Sequence, residues 1–224
     1  MTLFPTSGLA WPRRTDTPRA QQCWFLRSCM IVLLLAGLMF ETARPASASD
    51  SAKEFVSTLA DKALTIAKSG ASPAENRAEF SKLLDAYFDM RGIAQFLAGR
   101  YWRPASESDQ EAYFKAFHAS IVNTYTSRFG DYSGQELQVT SSREDGRFIL
   151  VSSEIVAPSG QTQPIKVDWR LLSTESTFKV IDVVIEGVSM SVTQRQEYTA
   201  LIQSKGGKLA ALTEALDDKN SRIK

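Results

Sequence analysis

The chain contains the stretch Phe178-Lys-Val-Ile-Asp-Val-Val-Ile-Glu-Gly-Val-Ser189, in which five β-branched residues precede Gly187. Such residues favour a strand buried on both faces. Gly187 lets the backbone break and redirects the chain into a polar helix that carries Arg195. The stretch contains no catalytic motif. Because an edge of any α+β domain could have this pattern, its meaning depends on the rest of the chain.

Three further strands precede this one, and turn residues separate them. Residues 165 to 171 alternate apolar and charged side chains, which indicates a strand with one buried face. Asp145-Gly146 is a hairpin signal between a strand with Leu137 and Val139 and a second strand from Arg147 to Ala157. Four consecutive strands with short links predict an antiparallel sheet of about four strands with helices on one face, an α+β fold.

Helical patterns occupy the chain before and after these strands. Apolar residues recur at helical spacing from Ser51 to Gly70, and Ser72-Pro73 is a cap signal for a second helix. A short third helix is predicted from Met90 to Leu97, and Ser106-Glu-Ser-Asp109 resembles a capping box before a long aromatic helix. Two more helices are predicted, from about Thr193 to Gln203 and after Gly206-Gly207.

The first 48 residues have the three parts of a secretory signal. An arginine-rich lead comes first, then the apolar run from Met30 to Phe40, then Ala46-Ser47-Ala48 as a small-residue cleavage site. We expect cleavage near Ala48/Ser49, export to the periplasm, and a single domain over residues 49–224. An uncleaved membrane anchor is the alternative. Removal of residues 1–48 would change the net charge from +1 to a small negative value, which does not favour a nucleic-acid partner.

The residues offer little for catalysis or metal binding. Cys23 and Cys29 both lie within the predicted signal, and His118 is the only histidine of the chain. No phosphate-binding loop or nucleophile elbow occurs. We therefore predict no enzyme activity, no metal and no cofactor. Asp182 on its apolar strand is either paired, for example with Arg195, or directed into a wet pocket, and we expect the pair.

Several of these segments together resemble one family. They are Tyr101-Trp-Arg-Pro-Ala-Ser106, Phe114-Lys-Ala-Phe117, Thr124-Tyr125, Val167-Asp-Trp-Arg170, Lys179 to Val183, Ile185 to Ser189, Arg195 and Gly206-Gly-Lys-Leu209. Their order and spacing resemble the MlaC family of periplasmic phospholipid-binding proteins. This family is also called the toluene-tolerance family, and it includes the hopanoid-associated HpnM proteins. The resemblance runs from about Ala52 to Leu216.

The resemblance implies a fold related to the nuclear-transport-factor-like cone, in which helices and a twisted sheet enclose an apolar lipid pocket. It implies a monomeric carrier that moves phospholipid between an outer-membrane lipoprotein complex and an inner-membrane ABC transporter complex with its lipid-binding subunit. Such transport would maintain the lipid asymmetry of the outer membrane. Strand alternation and helix position suggest these pocket residues: Phe88, Phe96, Phe117, Ile121, Tyr125, Val151, Val167, Trp169, Val184 and Tyr198. The alternatives are a hopanoid carrier and a periplasmic scaffold that binds a protein partner.

Overall fold

The predicted strands pair in chain order as one open antiparallel sheet. A computed structural model of the chain describes residues 48–158 and 163–223. The expected signal segment lies outside this range except for Ala48, as does most of the turn at Pro158-Ser-Gly160. The strands are β1 (Glu136–Asp145), β2 (Phe148–Val156), β3 (Ile165–Ser173), β4 (Phe178–Ile185) and β5 (Val188–Ser189), in the sheet order β1-β2-β3-β4-β5. The predicted α+β meander is confirmed, with the two-residue β5 added.

Six α-helices surround this sheet in the described part of the chain. They are α1 (Ala48–Lys68), α2 (Pro73–Tyr87), α3 (Met90–Ala98), α4 (Glu107–Thr126), α5 (Met190–Ser204) and α6 (Leu209–Arg222). Short 3-10 turns lie at Gly99–Tyr101 and Phe129–Asp131.

The predicted cap residues begin the helices as expected. The Ser72 hydroxyl accepts a hydrogen bond from the backbone N–H of Glu75, and the Glu75 carboxylate accepts one from the backbone N–H of Ser72. Ser106 caps α4 in the same way through the N–H of Asp109. The helix expected from Thr193 begins earlier, at Met190, because Ser189 caps it by accepting from the N–H of Val192.

A β-bulge in β4 decides which of its side chains face the helices. Leu171 lies opposite Val180 and Arg170 lies opposite Asp182, so Ile181 is an extra residue in β4. Val180 is fully buried in the core. Strict alternation from Val180 would put Val184 on the inner face of the sheet. Because Ile181 is an extra residue, Val183 and Ile185 lie on the inner face instead.

The core fills one end of the sheet. Ile149, Val151, Leu171 and Val180 pack there with buried residues of the helices, among them Val56 of α1. The other end of the sheet holds the β4–β5 turn and the first turn of α5. The inner face at that end is not filled by side chains.

Candidate binding cavity

A cavity of about 480 Å³ lies between the unfilled end of the sheet and the helices. Its size is within the range of small-molecule binding sites, which run from about 300 to 1,000 Å³. All the residues that line it are as follows: Leu59, Ala60, Ala63, Leu64, Phe80, Leu84, Phe88, Met90, Ile93, Leu97, Phe117, Ile121, Tyr125, Tyr132, Gln135, Glu136, Leu137, Ile155, Val167, Trp169, Asp182, Val183, Ile185, Met190, Ser191 and Gln194. Most of these side chains are apolar.

The sheet contributes the side chains near one set of strand ends. Leu137 lies near the start of β1, opposite Ile155 near the end of β2. Val167 near the start of β3 lies opposite Ile185 at the end of β4. In an antiparallel meander these positions fall at the same end of the sheet, so one apolar residue from each strand suffices to make a continuous wall.

Helix α1 leaves room above that wall because its residues there are small. Ala60 and Ala63 line the cavity one turn apart, with Leu59 and Leu64 beside them. Met90, Ile93 and Leu97 of α3 form a second stripe at helical spacing. Helices α1 and α3 thus each contribute an apolar stripe to the cavity wall.

The polar residues that line this cavity fall into two groups. In the first group, Tyr125 is 50% exposed and stands near Tyr132, Gln135 and Glu136 on the chain leading into β1. The second group consists of Asp182, which is 5% exposed, with Ser191 and Gln194 of α5.

One polar contact lies inside the apolar wall. The indole Nε1–H of Trp169 donates to Ser153 Oγ at 2.9 Å, and the Ser153 hydroxyl donates to the carbonyl oxygen of Val167 at 2.9 Å. The buried Ser153 and the indole thus satisfy each other. This bond fixes the ring of Trp169 across the β2–β3 boundary.

Asp182 is held by a different partner from the one the sequence suggested. Its carboxylate accepts from Arg170 Nη1 at 3.2 Å, from the Ser189 hydroxyl at 2.7 Å and from the backbone N–H of Ser191 at 3.0 Å. The predicted pair with Arg195 is wrong. The Arg195 guanidinium instead lies 4.7 Å from the ring centroid of Phe96. Strand register explains why Asp182 pairs with Arg170, because Arg170 is the residue directly opposite it on β3.

Six of the predicted pocket residues lie on the cavity wall: Phe88, Phe117, Ile121, Tyr125, Val167 and Trp169. The structure brings them together from α4, β3 and the segment after α2. Whether they contact lipid is a prediction that their position supports but does not test.

Four predicted residues lie elsewhere. Phe96 is 41% exposed, because the inward face of α3 is taken by Ile93 and Leu97. Val151 belongs to the filled end of the sheet. The bulge at Ile181 turns Val184 away from the side of Val183. Tyr198 lies one helical turn beyond Gln194 and is buried in the core.

The sequence reasoning did not select the wall residues of α1, nor Met90, Ile93 and Leu97 of α3. Their segments were recognised only as helices. Their pattern was visible, yet a packed face and a cavity face have the same period of about 3.6 residues. The distinction depends on whether the sheet residues opposite them fill the space.

Within residues 48–158 and 163–223, no group of three His, Cys, Asp or Glu side chains could hold a metal ion. His118 Nε2 lies 2.9 Å from the Asp85 carboxylate, and neither residue lines the cavity.

Burial raises the pKa of Tyr113 and of Tyr198. Both phenols are therefore neutral at physiological pH. Within residues 48–158 and 163–223, no helix is both long and apolar enough to cross a membrane.

This architecture defines a class of α+β protein in which helices and an antiparallel meander enclose an apolar cavity. The family model described as "MlaC protein" matches residues 50–218, and the chain therefore belongs to the MlaC family.

A curated protein and a solved structure are similar to this chain. The chain is 27% identical over 124 residues to the intermembrane phospholipid transport system binding protein MlaC of Haemophilus influenzae. That match covers 54% of this chain and only 58% of the relative. A phospholipid-binding protein from Ralstonia solanacearum, solved in complex with a phospholipid, has a TM-score of 0.68 and 23% identity, covering 77% of this chain and 98% of that one. This second likeness concerns the fold.

Proposed function

We propose that this protein is a periplasmic phospholipid carrier that holds acyl chains in the cavity. The observation that carries the proposal is the cavity of about 480 Å³ whose lining side chains are mostly apolar. The Haemophilus relative is named as a phospholipid transport binding protein, and the Ralstonia protein was solved with a phospholipid; both support the same ligand class.

The energetics require no catalytic group. Two acyl chains with about thirty methylenes would cost on the order of 25 kcal/mol to expose to water, at about 0.8 kcal/mol per methylene. A cavity as apolar as the bilayer nearly cancels this cost. Exchange between membrane and carrier is then close to isoenergetic, and partners must supply the direction.

The proposal includes the rest of the transport pathway. Residues 1–48 act as a cleaved signal peptide, and residues 49–224 form the exported monomeric carrier. Its partners are an outer-membrane lipoprotein complex and an inner-membrane ABC transporter complex with its lipid-binding subunit, and its role is to maintain outer-membrane lipid asymmetry. No cofactor and no nucleic acid take part.

Lipid analysis of protein purified without detergent tests this function. We expect native mass spectrometry to find phospholipid bound to the wild type and not to Val167→Asp, because a carboxylate on the wall opposes acyl chains. Lys166→Asp is the matched control, since this strand neighbour is exposed and does not line the cavity. Circular dichroism verifies that both variants are folded.

Each other outcome contradicts the proposal in a definite way. Hopanoid in place of phospholipid would change the cargo and keep the carrier. Wild-type protein without any lipid would favour the protein-binding scaffold. Equal lipid on wild type and Val167→Asp would refute the site.

A further inference from the structure

The boundary between the empty and the filled part of the inner sheet face runs beside Trp169. On β3, Val167 and Trp169 line the cavity and Leu171 does not. On β4, Val183 lines the cavity and Val180 does not. Trp169 is thus the last cavity residue on β3 before the packed core.

The space behind Trp169 is closed. Val151 lies opposite Trp169 on β2, and Leu171 and Val180 form the next inner pair. All three are 0% exposed and belong to the hydrophobic core. An acyl chain that reaches the indole therefore has no room to continue.

The indole itself is held in one orientation. Its N–H donates to Ser153 Oγ at 2.9 Å, and Ser153 is anchored in turn to the Val167 carbonyl. Rotation of the ring would break this bond and leave a partly buried N–H without its acceptor, which is unfavourable. Ser153 is thereby a positioning residue for Trp169.

We propose that Trp169, positioned by Ser153, limits how far acyl chains enter and so selects phospholipids by chain length. This inference rests on the proposed carrier function. Each methylene that cannot pass the indole stays outside the cavity, and moving one methylene from water into an apolar site is worth about fourfold in affinity. Lipids with chains too long for the cavity bind no more tightly than those that just fill it.

Fluorescence quenching tests where the chain ends lie. Trp11 and Trp24 precede the expected cleavage site, so exported protein with Trp102→Phe keeps Trp169 as its one indole, which an intact-mass measurement verifies. Phosphatidylglycerol with bromine near the methyl end should quench Trp169 more strongly than phosphatidylglycerol with bromine near the ester. The reverse order would overturn the inference.

Competition between lipids tests the selection. Delipidated wild type and Trp169→Leu are each given an equimolar mixture of dimyristoyl-, dipalmitoyl- and distearoyl-phosphatidylglycerol, and bound lipid is measured by native mass spectrometry. We expect the ratio of distearoyl to dimyristoyl lipid to rise by at least about fourfold in Trp169→Leu, the value of one extra buried methylene. Leu171→Ala is the matched control, because it opens space behind an intact indole and should leave the ratio unchanged.

The positioning role of Ser153 has its own readout. Ser153→Ala should raise the same ratio and shift the Trp169 emission, whereas Ser153→Thr, which keeps a hydroxyl acceptor, should restore both. If Trp169→Leu fails to fold, the quenching order and the two Ser153 variants test the inference in its place. An unchanged ratio in Trp169→Leu and Ser153→Ala would overturn the inference and leave the carrier function standing, whereas a wild type that binds no phosphatidylglycerol would overturn both.

Discussion

Arg170 on β3 and Asp182 on β4 lie directly opposite each other and form an ion pair, with Nη1 and Oδ2 3.2 Å apart. The carboxylate is buried, and it also accepts from Ser189 and Ser191 at the start of α5. This position at a helix N-terminus favours a negative charge. The pair therefore joins the sheet to the helix that closes one margin of the cavity.

Removing this carboxylate should destabilise the fold. Asp182→Ala leaves Arg170 without its partner and two α5 donors without an acceptor, so we expect a loss of about 2–4 kcal/mol in the free energy of unfolding, measured by urea denaturation. Arg195→Ala is the control and should cost only about 0.5–1 kcal/mol, the value of a cation–π contact with Phe96. Equal losses of unfolding free energy in the two variants would contradict Arg170 as the partner of Asp182 and would favour Arg195.

Filling the cavity from α1 should block lipid without unfolding the protein. Ala63→Trp places an indole in existing space, so we expect bound phospholipid to disappear from detergent-free preparations while the unfolding free energy stays within about 1 kcal/mol of wild type. Ala74→Trp, on the exposed first turn of α2, should retain its lipid. Lipid retained by both variants would show that the cargo does not occupy this space.

Adjacent valines of β4 should respond differently to a charge. We expect Val183→Asp to lose bound lipid, since Val183 lines the cavity, and Val184→Asp to keep it, since the bulge turns that side chain away. Lipid extraction followed by mass spectrometry measures the difference. The opposite pattern would mean that β4 follows simple alternation from Val180.

Alkaline pH should weaken the fold through buried tyrosines. Burial, and secondarily the neighbouring Tyr198, raises the pKa of Tyr113 above its ordinary value of 10.0. Above about pH 10 the unfolded state releases a proton that the native state retains, so the free energy of unfolding should fall as pH rises.

Tyr113→Phe separates this effect from the loss of a hydrogen bond. The phenol donates to the Ala94 carbonyl at 3.2 Å, so the variant should be less stable at neutral pH by about 1 kcal/mol. Its stability should then fall less steeply between about pH 10 and 11 than that of wild type, because one titrating group is gone. Urea denaturation across this range gives both slopes, and equal slopes would contradict the assignment.

Most of the elements follow from local sequence. Ser72, Ser106 and Gly99 mark helix ends where the structure has them, because caps and positive-φ glycines act within a few residues. The hairpin at Asp145-Gly146 and the alternation of β3 likewise set their strands. The early start of α5 was missed because Ser189 serves both as the last strand residue and as the cap.

The site was only partly predictable for a different reason. Val167 and Trp169 follow from alternation within an unbroken strand, whereas Val184 fails because an extra residue at Ile181 is invisible in the apolar run. Phe96 was chosen as an aromatic residue, but its direction depends on which face of α3 meets the sheet. The α1 residues were not selected because the helical period does not distinguish contact with a side chain from contact with a void.

The sequence by itself determined the elements, their antiparallel order and the resemblance to the MlaC family, because capping, turn formation and strand alternation act over a few residues. Only the tertiary structure decided that Asp182 pairs with Arg170, that Val183 replaces Val184 on the wall, and that Trp169 stands where the cavity meets the core. Those outcomes depend on strand register and on the volume left between facing elements. Both quantities arise from contacts between residues far apart in the chain.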